Sequence, residues 1–510
     1  MNRHHLYNGV LFHLFWCCLL LAFPRFSEAQ FNQHVWHFGD SAGIDFRDPG
    51  LGALPFHSAT RTKGSNADIN TDLGEQLFYV GDHPFTGVYS TLIFDSNDIV
   101  MPGCDSVYGP GAYNGIVIVP RPGWNDRFYV FSYISFFSLI GLYCTEVDMT
   151  LRGGLGDVVD QNRQVGQEEY ADCLTAIRHG NGRDWWVIGK MSSQSSGQTN
   201  RFYVLEVTPS GISPPDTQDM GLASDLDIQR IVWHPDGNHF LLINARGFMC
   251  EYDFDRCSGQ ISQRRLIFPE QTSGYNRIFW EGAYSPNGEM LYVSTSAFFS
   301  TMDHGYLLQF NLSATDVPGS CDTLDVFYPP IGTGAVRRGP DGRVYFTRAY
   351  ECPGVYCYPY PDSVRNYVNQ NLSVIHQPDL DGPACDYRPF SFYLGGKRTY
   401  YGLPNNADYS LGPLAGSPCD TLTNGLQQDA LSASYLEVFP NPAPRGRCLL
   451  RSSAPFGRGT ILQVLDASGN LLLNTELPPA TAYPLDLSAF SPGLYLLRLS
   501  DGRRVRVVVG

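Results

Sequence analysis

The chain has 510 residues, of which 43% are hydrophobic and 17% are charged, and its formal net charge is −15. This length is too great for one ordinary core, so it predicts two or three domains or one large domain built from repeats. The acidic balance argues against a nucleic-acid partner, because such a partner usually requires a basic face.

The N-terminus has the pattern of a secretory signal peptide. A positively charged start precedes an apolar run over residues 10–23, and small side chains at Ser27 and Ala29 precede Gln30. This predicts a signal peptide over residues 1–29, cleaved between Ala29 and Gln30. A membrane anchor is the alternative, but the run is short for a span, which needs about 20 residues. Since no later segment is long and apolar enough, we expect a mature chain without a transmembrane segment.

Eleven cysteines remain after the predicted cleavage site. Because that number is odd, at least one cysteine is unpaired or pairs outside the chain. Cys250 and Cys257 flank a short turn-like segment, and so do Cys352 and Cys357. In an oxidising compartment these spacings predict local disulfides. Zinc is the less favoured interpretation, because no second pair of ligands follows at zinc-site spacing.

The region after the signal peptide reads as many short strands separated by a recurring turn. Pro, Asp or Asn, and Gly close these turns, because they preset the dihedral angles that a tight hairpin needs. The turns recur every 51 to 57 residues, at Gly74, Asn125, Gly182, Gly237, Gly288, Gly342 and Gly396. Seven near-equal, strand-rich units predict a seven-bladed β-propeller over residues 30–410. The last unit lacks room for a full blade, so we expect the N-terminal segment VWHFGDSAGIDF to close the ring. A β-solenoid or a pair of sandwiches is the alternative.

Several segments of this region resemble known proteins. FGDSAGIDF, DLGEQLFYVGD, GIVIVPRPGWNDRFYVF, SVIHQPDLDGPACDY and YYGLPN look like the N-terminal propeller region of large secreted proteins of Bacteroidetes-type bacteria. The resemblance covers most of residues 35–405 and supports an all-β propeller. It brings no catalytic residue that can be placed on this chain.

The C-terminal part differs in composition and charge. Residues 411–434 are rich in Gly, Pro, Ser, Asn and Gln and predict a linker. From Tyr435 onward the chain has eight Arg, no Lys, three Asp and two Glu, a net of +3, whereas the region between signal peptide and tail carries −19. About seven short strands in residues 435–510 predict a small Ig-like β-sandwich.

This tail resembles the type A sorting domain of the type IX (Por) secretion system. The matching residues are Pro440, Asn441, Pro442, Asp466, Gly469, Pro492, Gly493 and Tyr495. The family often has Lys in its last strand, where this chain has Arg504 and Arg506, so the charge is kept. The resemblance implies export across both membranes, contact with the type IX machinery and removal of the tail. A fibronectin-like module of a multidomain enzyme is the alternative.

One segment raises the possibility of a calcium site. Asn66, Asp68, Asn70 and Asp72 alternate along the chain, as oxygen ligands do in calcium loops. The EF-hand pattern fails, because Gly74 comes one position late and Tyr79 stands where the last ligand should be. The turn before the next strand explains Asp72 and Gly74 without a metal, and we therefore expect no cofactor.

Other candidate residues have ordinary structural explanations. We assign His234 to a turn, and the neighbouring pair Asp303 and His304 is weak evidence for acid–base chemistry, which depends on spatial geometry. Four tryptophans could stack on sugar rings, but such residues more often fill the spaces between blades. They are Trp124, Trp185, Trp186 and Trp280.

The sequence therefore leaves three hypotheses for function. The favoured one is a non-enzymatic surface or secreted protein that binds an extracellular glycan or protein. The second is an extracellular glycan lyase or hydrolase, which would require a cluster of Asp, Glu, His and Arg at the channel. The third is a scaffold without a ligand of its own.

Overall fold

The computed structural model describes most of the chain after the predicted signal peptide. Residues 1–30, which include the predicted cleavage site between Ala29 and Gln30, lie outside the described residues. Among the described residues, no helix is long and apolar enough to cross a membrane. The residues described are 31–48, 50–71, 74–82, 90–104, 107–109, 113–136, 139–192, 200–221, 229–271, 278–296, 303–352, 360–420, 436–439, 441, 443–452, 456, 459–466, 470–500 and 504–509.

Tertiary contacts divide the chain into two units, Met1–Leu422 and Thr423–Gly510. The first unit contains seven antiparallel sheets, which we call blades 1 to 7 in chain order. Blade 1 consists of β2 (Val35–Phe38), β3 (Asp40–Asp45) and β4 (Leu54–Arg61). Blade 2 consists of β1 (Phe31–Asn32), β5 (Asn66–Thr71), β6 (Gln76–Asp82), β7 (Ser90–Asp95) and β8 (Val107–Tyr108). Blade 3 consists of β9 (Ile116–Pro120), β10 (Arg127–Phe136), β11 (Leu139–Asp148) and β12 (Asp157–Gly166).

The other four blades follow the same order. Blade 4 consists of β13 (Thr175–Arg178), β14 (Trp185–Lys190), β15 (Arg201–Thr208), β16 (Gly211–Ile212) and β17 (Asp216–Asp219). Blade 5 consists of β18 (Gln229–Trp233), β19 (His239–Asn244), β20 (Met249–Phe254) and β21 (Ile261–Phe268). Blade 6 consists of β22 (Phe279–Tyr284), β23 (Met290–Thr295), β24 (Gly305–Asn311) and β25 (Asp322–Phe327). Blade 7 consists of β26 (Val336–Arg338), β27 (Val344–Phe346), β28 (Asn371–Ile375) and β29 (Tyr387–Tyr393).

The blades are arranged around a common centre. Their first strands contact those of neighbouring blades, β2 with β5, β5 with β9, β9 with β13, β18 with β22 and β22 with β26. Short 3₁₀ turns at Leu151–Gly154, Pro318–Ser320 and Gly382–Cys385 interrupt the connections. This arrangement confirms the predicted all-β, seven-bladed propeller.

Burial explains the strand pattern of the sequence. In the second strands, β19 and β23, every residue is buried, because another blade covers each face of the sheet. Such strands show a continuous run of buried residues in the sequence, rather than an alternation of buried and exposed residues. The outer strand β21 has its middle residues exposed. The repeated turns take the expected form, and Gly237 and Gly288 adopt positive φ angles of 70° and 77°, which favour glycine.

Ring closure differs from the sequence prediction. The segment VWHFGDSAGIDF supplies β2 and β3 of blade 1 and residues 54–61 supply its third strand, rather than one strand being added to a blade begun at Gly396. Arg398 makes only an isolated bridge with Asp40, and their side chains also form an ion pair. The chain then leaves the sheets and enters the centre of the ring. A turn signal marks a reversal of the chain, but it does not determine whether the next segment finds a free strand edge.

The expected disulfide between Cys250 and Cys257 is wrong. Cys257 instead pairs with Cys419, with 5.4 Å between their Cα atoms and 162 residues between them in sequence. Cys250 is buried as a thiol within blade 5. Cys352 is disulfide-bonded, but its expected partner Cys357 lies outside the described residues. Sequence proximity failed as a guide because residues 411–420, expected to be linker, lie against the propeller.

The second unit is a β-sandwich of seven strands, which confirms the predicted fold of the tail. One sheet contains β30 (Leu436–Phe439), β31 (Arg447–Ser452) and β34 (Ala482–Asp486). The other contains β32 (Ile461–Leu465), β33 (Leu471–Glu476), β35 (Gly493–Leu499) and β36 (Arg504–Val509). A 3₁₀ turn at Pro444–Gly446 precedes β31. Alternating residues of both sheets enclose a common apolar core that includes Leu450, Leu462, Leu497 and Val507.

Candidate functional site

The centre of the propeller is occupied by residues 399–411, which we call the axial segment. Near its N-terminal end the segment bonds to the backbone beside the first strand of blade 7, where the N–H of Ala335 donates to the carbonyl of Tyr401 at 2.7 Å. The N–H of Asn405 donates to the carbonyl of Asn66 in blade 2 at 2.8 Å. The hydroxyl of Tyr409 donates to the carbonyl of Ile118 in blade 3 at 3.0 Å. Since these partners lie in blades on different sides of the ring, the segment runs through its centre.

Asn405 is the most extensively bonded residue of the axial segment. Its side-chain N–H groups donate to the carbonyls of Ile116 and Leu174, at 2.9 and 2.8 Å, beside blades 3 and 4. Its side-chain oxygen accepts a hydrogen bond from Arg230 of blade 5 at 2.5 Å. The residue is only 2% exposed. One buried amide therefore joins three blades to the segment that crosses between them.

The chain is fixed again where it leaves the channel. Arg178 donates to the carbonyl of Tyr409 at 2.9 Å, and Arg256 donates to the carbonyl of Gly412 at 2.6 Å. The disulfide between Cys257 and Cys419 follows a few residues later. The axial segment is thus held by hydrogen bonds along its length and by a covalent bond beyond its exit.

A cluster of buried charged groups, which we call the axial network, surrounds Asn405. Arg337 donates to Glu281 at 2.5 Å, and the Nε atom of Arg230 lies 3.4 Å from the same carboxylate oxygen. The second oxygen of Glu281 accepts a hydrogen bond from Asn114 at 2.8 Å. Asp172 accepts the backbone N–H groups of Tyr113 and Asn114, at 2.9 and 2.6 Å. Every carboxylate oxygen of this network therefore already has a donor within the protein.

The electrostatics of the network are those of a balanced ion cluster. Burial acts to raise the pKa of Glu281, but the charges of Arg337 and Arg230 outweigh it, and the pKa lies below its usual value. Burial raises the pKa of Asp172 to about 6, despite its two backbone donors. Burial and the repulsion from Arg337 lower the pKa of Arg230 to about 9. At neutral pH two guanidinium groups thus face two carboxylates.

The axial network can hold the ring together, but it offers no accessible acid or base. A general base must lie within hydrogen-bond reach of a substrate proton, directly or through one water. Both oxygens of Glu281 and both oxygens of Asp172 accept hydrogen bonds from protein donors. Asn405 and Pro404 lie directly against the cluster, since Arg230 and Arg337 donate to them. The charged cluster that would have favoured an enzyme is present, but its carboxylates are buried, with Glu281 only 2% and Asp172 only 6% exposed.

A cavity of about 390 Å³ opens where the hairpin turns of blades 5, 6 and 7 meet beside the axial segment. We call it the turn-face cavity. Arg230, Arg337 and Arg338 line it, together with Asp408 of the axial segment. Aromatic walls come from Trp233 and Tyr284, among other residues. Arg338 differs from the other two arginines, because it belongs to no ion pair of the network and is only partly buried, with one long contact of 3.5 Å to the carbonyl of Ser285.

A second groove of about 550 Å³ lies between blades 3 and 4, away from the centre. It is lined by Tyr170, Met191 and Tyr203 and by the outer strand β12 with its following loop. It is larger than the turn-face cavity, but among its described lining residues only Arg163 and Glu168 are charged. The turn-face cavity is therefore the better candidate for recognition of a polar ligand.

The residues of the calcium motif take a different position from the one expected for a loop. Asn66, Asp68 and Asn70 lie in strand β5 and are buried. Because they alternate, their side chains share one face, where Asn70 and Asp68 accept the N–H groups of Val35 and His37 at 3.2 and 3.1 Å. They thus connect blades 1 and 2 in place of a backbone ladder. Asp72 lies outside the described residues, and the calcium prediction stays untested.

The remaining aromatic and imidazole candidates are placed as follows. Trp185, Trp186 and Trp280 are buried between strands, at 1%, 7% and 7% exposure. Trp124 is 45% exposed and carries the guanidinium groups of two neighbouring arginines over its ring. His304 bonds both Asp303 at 2.6 Å and the hydroxyl of Tyr306, on the surface of blade 6. These residues do not converge on one site.

In the sandwich, Asn441 of the predicted sorting motif holds the last strand. Its side-chain N–H donates to the carbonyl of Arg506 at 3.1 Å, and its oxygen accepts the N–H of Val508 at 2.9 Å. Pro440 and Pro442 lie outside the described residues. The turn motif near the start of the domain therefore fastens its C-terminal strand.

The other motif residues shape turns and a surface. Asp466 accepts the N–H of Asn470 at 2.9 Å and closes the hairpin between β32 and β33, while Gly469 lies outside the described residues. Tyr495 donates its hydroxyl to the carbonyl of Ser491 at 2.6 Å, across the turn that contains Pro492 and Gly493. Arg504 and Arg506 are exposed on β36. Their role in recognition by the export machinery stays a prediction.

Fold and motifs together define the class of this chain, an exported β-propeller protein that carries a C-terminal sorting domain. Residues 437–509 match the family described as "Secretion system C-terminal sorting domain". This match confirms the type IX sorting domain and with it export to the extracellular space or the cell surface. The sorting domain also implies contact with the type IX machinery.

Comparisons with whole proteins add little about function. No curated protein matches the chain. A putative 6-phosphogluconolactonase from Bacteroides fragilis is 10% identical over 74% of this chain and 98% of its own, with a TM-score of 0.44. The Swd1 β-propeller domain of Myceliophteria thermophila is 11% identical over 62% of this chain and 96% of its own, with a TM-score of 0.32. Likeness at these TM-scores carries no argument, and the propeller is established by the seven sheets themselves.

Sequence reasoning did not single out the residues of the closed channel. Asn114, Arg230, Glu281, Arg337 and Asn405 come from five distant parts of the chain, and only Asn405 lies in one of the resembling segments, YYGLPN. One signal was available, because Arg230, Glu281 and Arg337 are charged residues inside the short first strands of blades 5, 6 and 7. A charge in such a strand predicts a partner across the channel.

Proposed function

We propose that this protein is an extracellular binding protein without enzymatic activity, and that the turn-face cavity receives an acidic sugar unit of an extracellular glycan. The observation that carries the proposal is the closed channel, in which the axial segment packs directly against the axial network. A propeller that uses its channel for catalysis would need this position to be open to substrate.

The lining of the turn-face cavity supports the choice of ligand. Its volume of about 390 Å³ lies within the range of small-molecule sites and suits one or two sugar rings. Arg338 has donors to spare for a carboxylate, and Arg fits a carboxylate through two parallel hydrogen bonds. Trp233 and Tyr284 offer apolar faces of the kind on which sugar rings stack.

Because of the overall negative charge, recognition of an anionic ligand must depend on the residues that contact it. The chain carries −15, so long-range attraction works against an anionic ligand rather than for it. Asp408 also lies in the cavity and disfavours ligands with dense negative charge. A glycan with isolated carboxylates among neutral sugars fits this balance better than a heavily sulfated polymer.

Binding of uronic-acid oligosaccharides to the exported protein tests the proposal. The variant Arg338→Gln should weaken binding at least tenfold without changing the unfolding midpoint, because Arg338 makes one long hydrogen bond, of 3.5 Å, among the described residues. Arg343→Gln is the matched control, since Arg343 lies in the same hairpin and does not line the cavity. It should leave the affinity within about twofold.

Two results would overturn the proposal. Equal affinity in both variants would remove the turn-face cavity from recognition. Shortened oligosaccharides detected by mass spectrometry after incubation with the wild-type protein would show turnover and favour the enzyme hypothesis.

A further inference from the structure

A second cluster of polar side chains lies in the hairpin between β18 and β19 of blade 5. The Nδ1 atom of His234 lies 2.9 Å from Oδ1 of Asp236, and the Nδ1 atom of His239 lies 3.4 Å from the same oxygen. The three candidate ligand atoms all lie within 4.8 Å of one another. The two imidazole rings are stacked, with 3.9 Å between their centroids. Two imidazole nitrogens and one carboxylate oxygen thus converge within six residues of chain.

The turn itself does not require these imidazoles. The N–H of His234 donates to the carbonyl of His239 at 3.0 Å, which closes the hairpin. The equivalent turn of blade 6 is closed by the same bond, from Ser285 to Met290, at 2.8 Å. Blade 6 therefore builds the same turn with a serine and a methionine at these positions. The histidines of blade 5 need another explanation.

The surroundings leave room for further ligands. A cavity of about 510 Å³ adjoins the cluster, between blades 5 and 6. The two arginines that line it are both paired with carboxylates, Arg264 with Asp253 and Arg265 with Glu251, each at 2.7 Å. Their positive charges are thus largely compensated, and the carboxylate of Asp236 faces the cavity.

We propose that His234, Asp236 and His239 bind a divalent first-row transition metal, with Zn²⁺ as the representative ion. Imidazole nitrogen and carboxylate oxygen bind Zn²⁺ at about 2.0–2.2 Å, which places tetrahedral ligands about 3.3 Å apart. The separations of 2.9 and 3.4 Å in the hairpin lie on either side of this value. Imidazole with one carboxylate suits zinc, copper or nickel better than calcium or magnesium.

Binding requires a rearrangement of the two imidazole side chains. The stacked rings must turn apart so that each Nδ1 lone pair points at the ion. His234 must also give up the 3.3 Å hydrogen bond that its Nδ1 accepts from the N–H of Asp236. Three protein ligands leave at least one position for water from the adjoining cavity, which is typical of an open rather than a structural site.

Zn²⁺ titration of the untagged, chelator-treated exported protein tests the site, by calorimetry and by competition with a chromophoric chelator. We expect one equivalent of Zn²⁺ to bind and to raise the unfolding midpoint. The double variant His234→Ser and His239→Met copies the turn of blade 6 and should lose that equivalent. His304→Gln is the matched control, because His304 is also paired with an aspartate but belongs to no cluster of three potential metal ligands among the described residues.

A milder variant distinguishes a loss of metal binding from a folding defect. Asp236→Asn keeps the side-chain oxygen that caps the turn, as Asn287 does in blade 6, but removes the charge. It should weaken Zn²⁺ binding at least tenfold and leave the metal-free unfolding midpoint unchanged. Absence of binding to the wild-type protein would overturn the proposal, and so would unchanged stoichiometry and affinity in the Asp236→Asn and double variants.

Discussion

The closed channel predicts that truncation of one side chain destabilises the whole propeller. Asn405→Ala removes two hydrogen bonds donated to the carbonyls of Ile116 and Leu174 and one accepted from Arg230. Net contributions are about 1 kcal/mol for each neutral bond and about 1.5–3 kcal/mol for the bond to a charged group. Because the site is 2% exposed, water cannot replace them, and we expect a loss of about 4 kcal/mol in the free energy of unfolding.

Denaturant unfolding followed by tryptophan fluorescence measures this loss selectively. All six tryptophans after the predicted signal peptide lie between residues 36 and 280, so their fluorescence reports the propeller and not the sandwich. Asn405→Asp should cost at least as much as the alanine variant, since it places an oxygen opposite two carbonyl oxygens. Ser410→Ala is the control in the same segment and should cost less than about 0.5 kcal/mol, because Ser410 is exposed and bonds only Asp408. A loss below about 1 kcal/mol in Asn405→Ala would refute the account of the channel.

Three further predictions concern other parts of the chain. Replacement of Cys257 and Cys419 by serine should cost about 2–5 kcal/mol and speed protease cleavage after the axial segment, and non-reducing peptide mapping of the wild type should recover the linked pair. Asn441→Ala should lower the hydrogen-exchange protection of the Val508 amide and reduce export. Unchanged protection would show that Asn441 does not stabilise the last strand of the sandwich. The raised pKa of Asp172, about 6 when folded against about 3.9 when exposed, contributes stability below pH 4 that is lost as the pH rises through 6. The stability of the wild type relative to Asp172→Asn should therefore fall between pH 4 and pH 6.5, and parallel curves would contradict the assignment.

The repeated turns carried most of the fold prediction. The turns at Gly237, Gly288 and Gly342 are local, since each depends on a few residues whose backbone preferences are strong. Their spacing then limits the architecture to a closed array of sheets. The sorting domain was predicted for the same reason, because its strands and turns alternate within short distances along the chain.

The path of the chain after Gly396 could not be predicted in this way. Residues 399–411 have no strand pattern, and their partners come from five blades that the sequence does not bring together. Asn405 is informative only once Ile116, Leu174 and Arg230 are known to surround one axis. The pairing of Cys257 with Cys419 depends on the same path, because only a chain that leaves the channel beside blade 4 brings the two cysteines within reach.

Hydrogen exchange of the axial segment tests the central claim most directly. Mass spectrometry of the exported protein compares peptides that cover residues 399–411 with peptides that cover β9, whose residues are all buried in the ring. Since the N–H groups of Tyr401 and Asn405 bond to the carbonyls of Lys63 and Asn66, in and beside strand β5, exchange at these two positions should be as slow as in β9 and should require unfolding of the propeller. Complete exchange within seconds, while β9 stays protected, would show an open channel and contradict the account.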